Sequence, residues 1–193
     1  EFLSFEWMPQ NWFVTSRVAE LENLACVGRR VTRAELNGVN PDWFARAYLR
    51  PREWRRYQQN PRLDWLLGRI AAKDALRDWL RTHRDLAIHP LEIEIENEES
   101  GAPRARFFAP SLENFALEVS LAHLEDEALA VAGEGALGVD VAHIEIRDAA
   151  WKNLVFTESE ARVLAACGEE NEWLHRGWCA KEAAAKLYGQ GLE

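Results

Sequence analysis

The sequence predicts an α+β fold made of two similar halves related by a pseudo-twofold axis, and three observations lead there. Leu91, Ile93 and Ile95 alternate with Glu92, Glu94 and Glu96, the period-two pattern of a half-buried strand. On either side of this region apolar residues recur at helical spacing. Short motifs also repeat: Trp65-Leu66 returns as Trp173-Leu174, and Ala72-Lys73-Asp74-Ala75 as Ala180-Lys181-Glu182-Ala183, both at an offset of 108 residues. Upstream, Leu49-Arg50-Pro51-Arg52-Glu53 aligns with Phe156-Thr157-Glu158-Ser159-Glu160 at an offset of 107. Matching anchors across two helices point to duplicated halves rather than shared helical composition. Halves packed in this way leave a cleft between them, a common place for a ligand. The division is a first half over 41–115, a second over 116–193, and residues 1–40 ahead of both.

Taken in order, residues 1–40 read as a linker or docking segment, an extra strand or a dimer contact. Trp7, Trp12 and Phe13 suggest a segment that packs on something, and 17–37 show loose helical periodicity. The first residue is Glu rather than Met, which reads as a domain excised from something longer. At Leu49-Arg50-Pro51 a helix begins with proline in its first turn. A second helix runs over 63–80 on Trp65, Leu66, Ile70, Leu76 and Leu80. The strand at 91–96 follows, then the turn residues Ser100-Gly101-Ala102-Pro103. Further strands are expected over 115–122, 128–132 and 137–142, and helices over 157–167 and 171–188.

Composition excludes several classes. Almost half the residues are apolar, enough for a packed core. No apolar run is long enough to cross a bilayer, so no membrane role is expected. Three cysteines without a CxxC spacing read as reduced cytoplasmic thiols and give a zinc site no support. The net charge of −9 argues against nucleic acid as a partner. Residues 46–84 nevertheless hold eleven Lys and Arg against four Asp and Glu. Such a segment suits a polyphosphate ligand, an acidic protein partner or simply a solvated helix face.

Two stretches carry chemistry. In Gly138-Val139-Asp140-Val141 the two valines share one face, so Asp140 projects to the other, beside small neighbours. By itself it reads as a strand-end Asp in solvent; buried, it would need a metal ion or a cation. In Trp178-Cys179-Ala180-Lys181-Glu182-Ala183-Ala184-Ala185-Lys186, Glu182 and Lys186 share a helix face, with Trp178 one turn earlier and able to shield the acid. A surface Glu–Lys pair is a common helix feature, but small alanines surround this one.

These two stretches, about forty residues apart and followed by Gly189-Gln190-Gly191-Leu192, resemble the two signature motifs of the 4′-phosphopantetheinyl transferase superfamily. The resemblance extends upstream through Ser120-Leu121-Ala122-His123, Gly101-Ala102-Pro103, Leu67-Gly68-Arg69 and Pro51…Arg56, covering roughly residues 46–192. Length and repeat are similar to the larger monomeric, surfactin-synthetase-activating type, whose two α+β halves hold coenzyme A between them. What the resemblance implies is transfer of 4′-phosphopantetheine from coenzyme A to a serine of an apo acyl or peptidyl carrier protein, giving the holo form and 3′,5′-ADP. It implies Mg²⁺, with Mn²⁺ as an alternative, on Asp140 and Glu182. Glu182 would also be the candidate base for the serine proton, and Lys186 the phosphate contact. Arg56, Arg69, Gly101, Ala102, Pro103, Ala122, His123 and Lys186 would line the coenzyme A site, His123 at the 3′-phosphate, with Arg69 and Lys73 either supporting it or lying on the helix surface. The implied protein is a monomeric pseudo-dimer or part of a larger polyketide or fatty-acid synthase.

Three departures stand out. Ala142 takes the place of a third acid, Ala122 that of a serine before the histidine, and Ala102 that of a lysine in the turn. They motivate a rival expectation, a non-catalytic domain that docks a carrier protein or binds coenzyme A. A third reading, a nucleotide or coenzyme A binder of unrelated chemistry, explains the basic segment but not the paired motifs.

Overall fold

Local chemistry sets the helix starts. The computed structural model describes residues 13–18, 25–36 and 38–188. Helix α1 (Pro41–Tyr48) begins where Asn40 Oδ1 accepts the Asp42 N–H at 2.9 Å. In α2 (Pro51–Gln59) proline occupies the first turn and Glu53 reaches back to the Arg50 N–H at 2.9 Å. Helix α3 (Leu63–Arg84) runs on until Asp85 adopts a left-handed φ of 50°.

The strands are β1 (Ser16–Arg17), β2 (Cys26–Thr32), β3 (Ile93–Asn97), β4 (Pro103–Phe107), β5 (Glu118–His123) and β6 (Glu127–Gly133). Four of them form an antiparallel sheet in the order β1-β2-β6-β5, and β3 pairs with β4 in a separate hairpin. Gly101, at φ +87°, makes the turn between β3 and β4, a backbone conformation that side chains disfavour. The sheet lies on α3. Leu66, Leu67, Ile70, Leu76 and Leu80 of the helix share one core with Val27, Val31, Val119, Ala128, Ala130 and Ala132 of the strands. Three helices follow: α4 (Ala149–Val155), α5 (Glu158–Ala165) and α6 (Glu170–Leu187). Thr157 and Glu160 cap α5 reciprocally, at 2.8 Å and 3.3 Å.

Mixed α+β architecture therefore holds, with the helix and strand expectations from residue 49 to 133 met in order. Two expectations fail. The helical periodicity over 17–37 gives no helix in its described part, which holds the end of β1, β2 and a 3-10 turn, Arg33–Leu36. Val27, Val31 and Leu36 are buried by the sheet and α3, and tertiary contact overrides the loose helical pattern. Residues 137–142 are not a strand either. They run without a ladder partner, packed against α6 instead. Of the readings left open for 1–40, the strand holds for 26–32; Trp7 and Trp12 lie outside the described residues, as does Gly189-Gln190-Gly191-Leu192.

The helix starts echo the sequence repeat: α2 and α5 begin 107 residues apart, and so do α3 and α6. Their surroundings differ. Helix α3 is buried over most of its length, whereas in α6 only Leu174 and His175 are fully covered among the described residues. Ile144, Ile146, Leu154 and Val163 of the same region stand exposed. Among the described residues no helix is long and apolar enough to cross a membrane.

Charged residues in the middle of α3 point inward. Lys73, Asp74, Arg77 and Asp78 are each no more than 1% exposed. Asp74 accepts from Thr15 Oγ1 at 3.0 Å, Tyr48 Oη at 3.0 Å and Arg77 Nη1 at 2.7 Å. Asp78 accepts Arg29 through Nε and Nη2, at 3.0 and 2.7 Å. Full hydrogen bonding is what allows these charges to leave water. They also tie the segment around Thr15 to α3.

Candidate functional site

A cleft of about 1500 Å³ opens between α2, α3, the β3–β4 turn, β5 and α6. Arg56, Arg69, Gly101, Ala102, Pro103, His123, Glu182 and Lys186 all line it. Residues separated by more than a hundred positions thus share one wall system. Two of the expected residues do not line it. Ala122 is buried, and Asp140 sits behind Lys186.

The basic side of the cleft is held rigidly. Arg69 donates to Asn97 Oδ1 at 2.6 Å, and Asn97 Nδ2 donates in turn to the Gly101 carbonyl at 2.9 Å. The turn before β4 is thereby fastened to α3. Burial pulls the Arg69 guanidinium down to about 10, against the opposing charge of Glu53. Arg56 and Arg69 both lie over the Trp65 ring, at 5.7 and 4.7 Å from its centroid. His123 Nδ1 is 3.9 Å from Asp64 Oδ2. A hydrogen bond from Arg62 holds the Asp64 carboxyl below its ordinary range. Two buried donors here, Trp65 Nε1 and Arg69 Nε, have no hydrogen-bond partner among the described residues.

Lys73 corrects an expectation. It neither supports the cleft nor lies on a helix surface: fully buried, it donates to Glu53 Oε2 and to the Tyr48 carbonyl, each at 2.6 Å. Sequence spacing could not reveal this, because its partners come from α1 and α2.

Acidic groups meet on the opposite side. Gly138 presses on α6 so closely that a Cβ there would lie 1.9 Å from the Ala183 carbonyl oxygen. This contact brings Asp140, two residues on, beside the turn that carries Glu182. The segment is pinned twice more: Val139 N–H donates to Ser120 Oγ at 3.1 Å, and Lys186 Nζ donates to the Val139 carbonyl at 3.0 Å. Lys186 Nζ also donates to Asp140 Oδ1 at 2.7 Å. Burial raises the Cys179 thiol to about 11, with Asp140 and then Glu182 adding to the rise. Both carboxylates therefore act on one thiol.

Among the described residues no group of three or more His, Cys, Asp or Glu is arranged around a metal position. Two carboxylates are what this site offers. An all-oxygen set of one or two carboxylates, completed by ligand phosphates and water, suits Mg²⁺, and Asp140 and Glu182 are the carboxylates that could enter such a set. Lys186, next to both the cleft and Asp140, adds a positive charge where an anion would lie.

The remaining motif residues face elsewhere. Lys181 bonds the Val155 carbonyl at 2.8 Å and Glu160 at 2.9 Å, docking α6 on α4 and α5. Trp178, expected to shield the acid, packs edge-on against Trp151. Sequence reasoning missed Trp65 as a cleft residue, since its spacing marks a core position, and it missed Asn97, which carries no motif at all.

Residues 136–193 match the family model described as the 4′-phosphopantetheinyl transferase superfamily, ACPS. No curated protein sequence matches the chain. Among solved structures, holo-[acyl-carrier-protein] synthase from Neisseria meningitidis is similar at 22% identity and a TM-score of 0.48, over 57% of this chain and 97% of that one. The Plasmodium yoelii holo-ACP-synthase is similar at 16% identity and a TM-score of 0.46, over 56% and 91%. The Helicobacter pylori holo-[acyl-carrier-protein] synthase, solved in complex with coenzyme A, follows at 19% identity and a TM-score of 0.45, over 56% and 97%.

Proposed function

We propose that the chain is a 4′-phosphopantetheinyl transferase that uses coenzyme A and Mg²⁺ to modify a serine of an apo carrier protein. One observation carries the reading. The cleft gathers a basic wall from α2, α3 and β5 and an acid–lysine pair from α6, with Asp140 held directly behind that pair. The family match over residues 136–193 covers both acids and the lysine.

In this reading Arg56, His123 and the turn at Gly101, Ala102 and Pro103 receive the nucleotide end of coenzyme A. Arg69 steadies the wall through Asn97, its Nε 4.0 Å from Glu53 Oε1. Lys186 contacts the diphosphate. Asp140 and Glu182 would hold Mg²⁺, which when bound neutralises the diphosphate and fixes its geometry. The serine Oγ attacks the β-phosphorus, the bond to the bridging oxygen breaks, and its electron pair leaves with 3′,5′-ADP. Glu182 would take the serine proton, through a water if its own carboxylate holds the metal. Ala122 stays behind the wall and makes no contact. The larger type, with two α+β halves about a pseudo-twofold axis, is the proposed architecture, on the recurring helix spacing. The proposed setting is a cytoplasmic synthase or stand-alone monomer, where its thiols stay reduced.

Intact-mass spectrometry of an apo carrier protein, incubated with the chain, coenzyme A and Mg²⁺, tests this. The expected result is a gain of one phosphopantetheine, abolished by EDTA and reduced on the order of 10³-fold by Asp140→Ala or Glu182→Ala. Coenzyme A binding without transfer to any of several carrier proteins would instead support a docking or binding domain.

A further inference from the structure

The strap over 137–148 carries Asp140 but belongs to no strand or helix. Backbone groups in such a run have no ladder to join, so those that leave water need partners of another kind. At Val139 both groups are bonded by side chains. The N–H donates to Ser120 Oγ at 3.1 Å, and the carbonyl accepts from Lys186 Nζ at 3.0 Å. The same ammonium donates to Asp140 Oδ1 at 2.7 Å. Val139 is thus suspended between β5 and α6, and Asp140 is the next residue along.

Ser120 is the fixed end of this suspension. Side chains alternate along a strand, and Leu121 and His123 turn to α3, each with an atom 3.6 Å from where a Cβ on Gly68 would stand. Ser120 consequently faces the other way, toward the strap. It is 4% exposed and sits opposite Val131 of β6, so the sheet sets the position of its hydroxyl. Lys186 is placed differently, because it lines the cleft and would also meet the diphosphate. An ammonium shared with a ligand anchors the strap less firmly than a buried hydroxyl does.

We propose that Ser120 is a positioning residue for Asp140: by accepting the Val139 N–H it holds the carboxylate where it can share a metal ion with Glu182. The proposal rests on the transferase reading above. Sequence reasoning placed Ala122 and His123 of this strand at the site, and the tether comes from the serine two positions before Ala122. One strand then serves both sides of the cleft, His123 on the basic wall and Ser120 behind the acids. Without the hydroxyl the Val139 N–H loses its acceptor, and the strap must be ordered anew each time a metal binds.

Hydrogen exchange and metal binding on the full chain test this. In the unaltered chain the Val139 N–H is expected to be protected. Exchange at the rate of an unstructured amide overturns the tether, whether or not any variant folds. Ser120→Ala removes the acceptor and is expected to abolish that protection. It should also weaken Mn²⁺ binding about ten-fold, read by electron paramagnetic resonance with coenzyme A present. Calorimetry with 3′,5′-ADP in the absence of metal should show no change, since its phosphates meet the basic wall. Ser120→Thr, which keeps the hydroxyl, should bind Mn²⁺ within about two-fold of the unaltered chain. Unchanged Mn²⁺ affinity in the alanine variant overturns the proposal, as does an equal loss in the alanine and threonine variants. A parallel loss of Mn²⁺ and 3′,5′-ADP also overturns it, because that marks a general structural role. Failure of the unaltered chain to bind 3′,5′-ADP, or Mn²⁺ with coenzyme A, overturns the transferase reading instead.

Discussion

Gly138 is placed where nothing larger fits, and the consequence reaches the site two residues away. A methyl group there would collide with the Ala183 carbonyl, which is backbone and cannot swing aside. Gly138→Ala should push Asp140 away from the α6 turn that carries Glu182. Steady-state transfer should fall on the order of 10²-fold in kcat/KM, because a displacement of about 1 Å costs that much where two groups act on one ligand. Unchanged kcat/KM would show that Asp140 need not sit against α6. Cys179 illustrates the same crowding from the other side. Its thiol, raised to about 11 by burial and by Asp140, stays protonated at neutral pH and is a poor nucleophile.

At the scale of elements, α3 is both the core helix and a ladder of buried charge. Glu53 accepts from Lys73 at 2.6 Å, from the Arg50 N–H at 2.9 Å and from the Ile95 N–H at 3.1 Å. Among the described residues Lys73 bonds Glu53 and one carbonyl. Removing the two members should therefore cost unequal amounts. Glu53→Ala strands a buried ammonium and two backbone donors and should destabilise the fold by about 3–5 kcal/mol. Lys73→Met keeps the volume, leaves Glu53 with its remaining donors, and should cost less. Urea unfolding of both variants checks the order, and a reversed order would mean that the ammonium, not the carboxylate, anchors the junction of α2, α3 and β3.

For the molecule as a whole, folding redistributes the charge that composition displays. Most cations of residues 46–84 are consumed internally: Lys73 by Glu53, Arg62 by Asp64, Arg52 by Glu96, Arg81 by Asp78 and Arg84 by Glu134. No acidic partner meets Arg46, Arg55 or Arg56 among the described residues, and all three are exposed on α1 and α2. An acidic carrier protein would meet this face rather than α3. Arg55→Glu is expected to raise KM for the carrier protein about three- to ten-fold at low salt, with the difference shrinking as salt screens it. KM for coenzyme A should not move, since Arg55 does not line the cleft. An equal rise for both substrates would place the docking face elsewhere.

Amino-acid order alone determined α2, α3, β3, β5 and β6, because proline at 51, the Ile93–Ile95 alternation and the turn at Gly101 are local signals that packing did not need to overrule; β4, whose residues carry no clear alternation, was not legible. It also singled out two short motifs that the fold brings side by side, Lys186 Nζ donating to Asp140 Oδ1 while Glu182 and Lys186 line the cleft. Tertiary structure decided the rest. Only the approach of Gly138 to Ala183 turned an expected strand at 137–142 into a strap along α6. Long-range pairing with β6 made a strand of 26–32. Partners on other elements drew Lys73, Asp74 and Asp78 inward from what helical spacing presents as a charged surface. Periodicity reports which face of an element is apolar; whether a charge on the other face stays in water depends on partners brought in from distant parts of the chain.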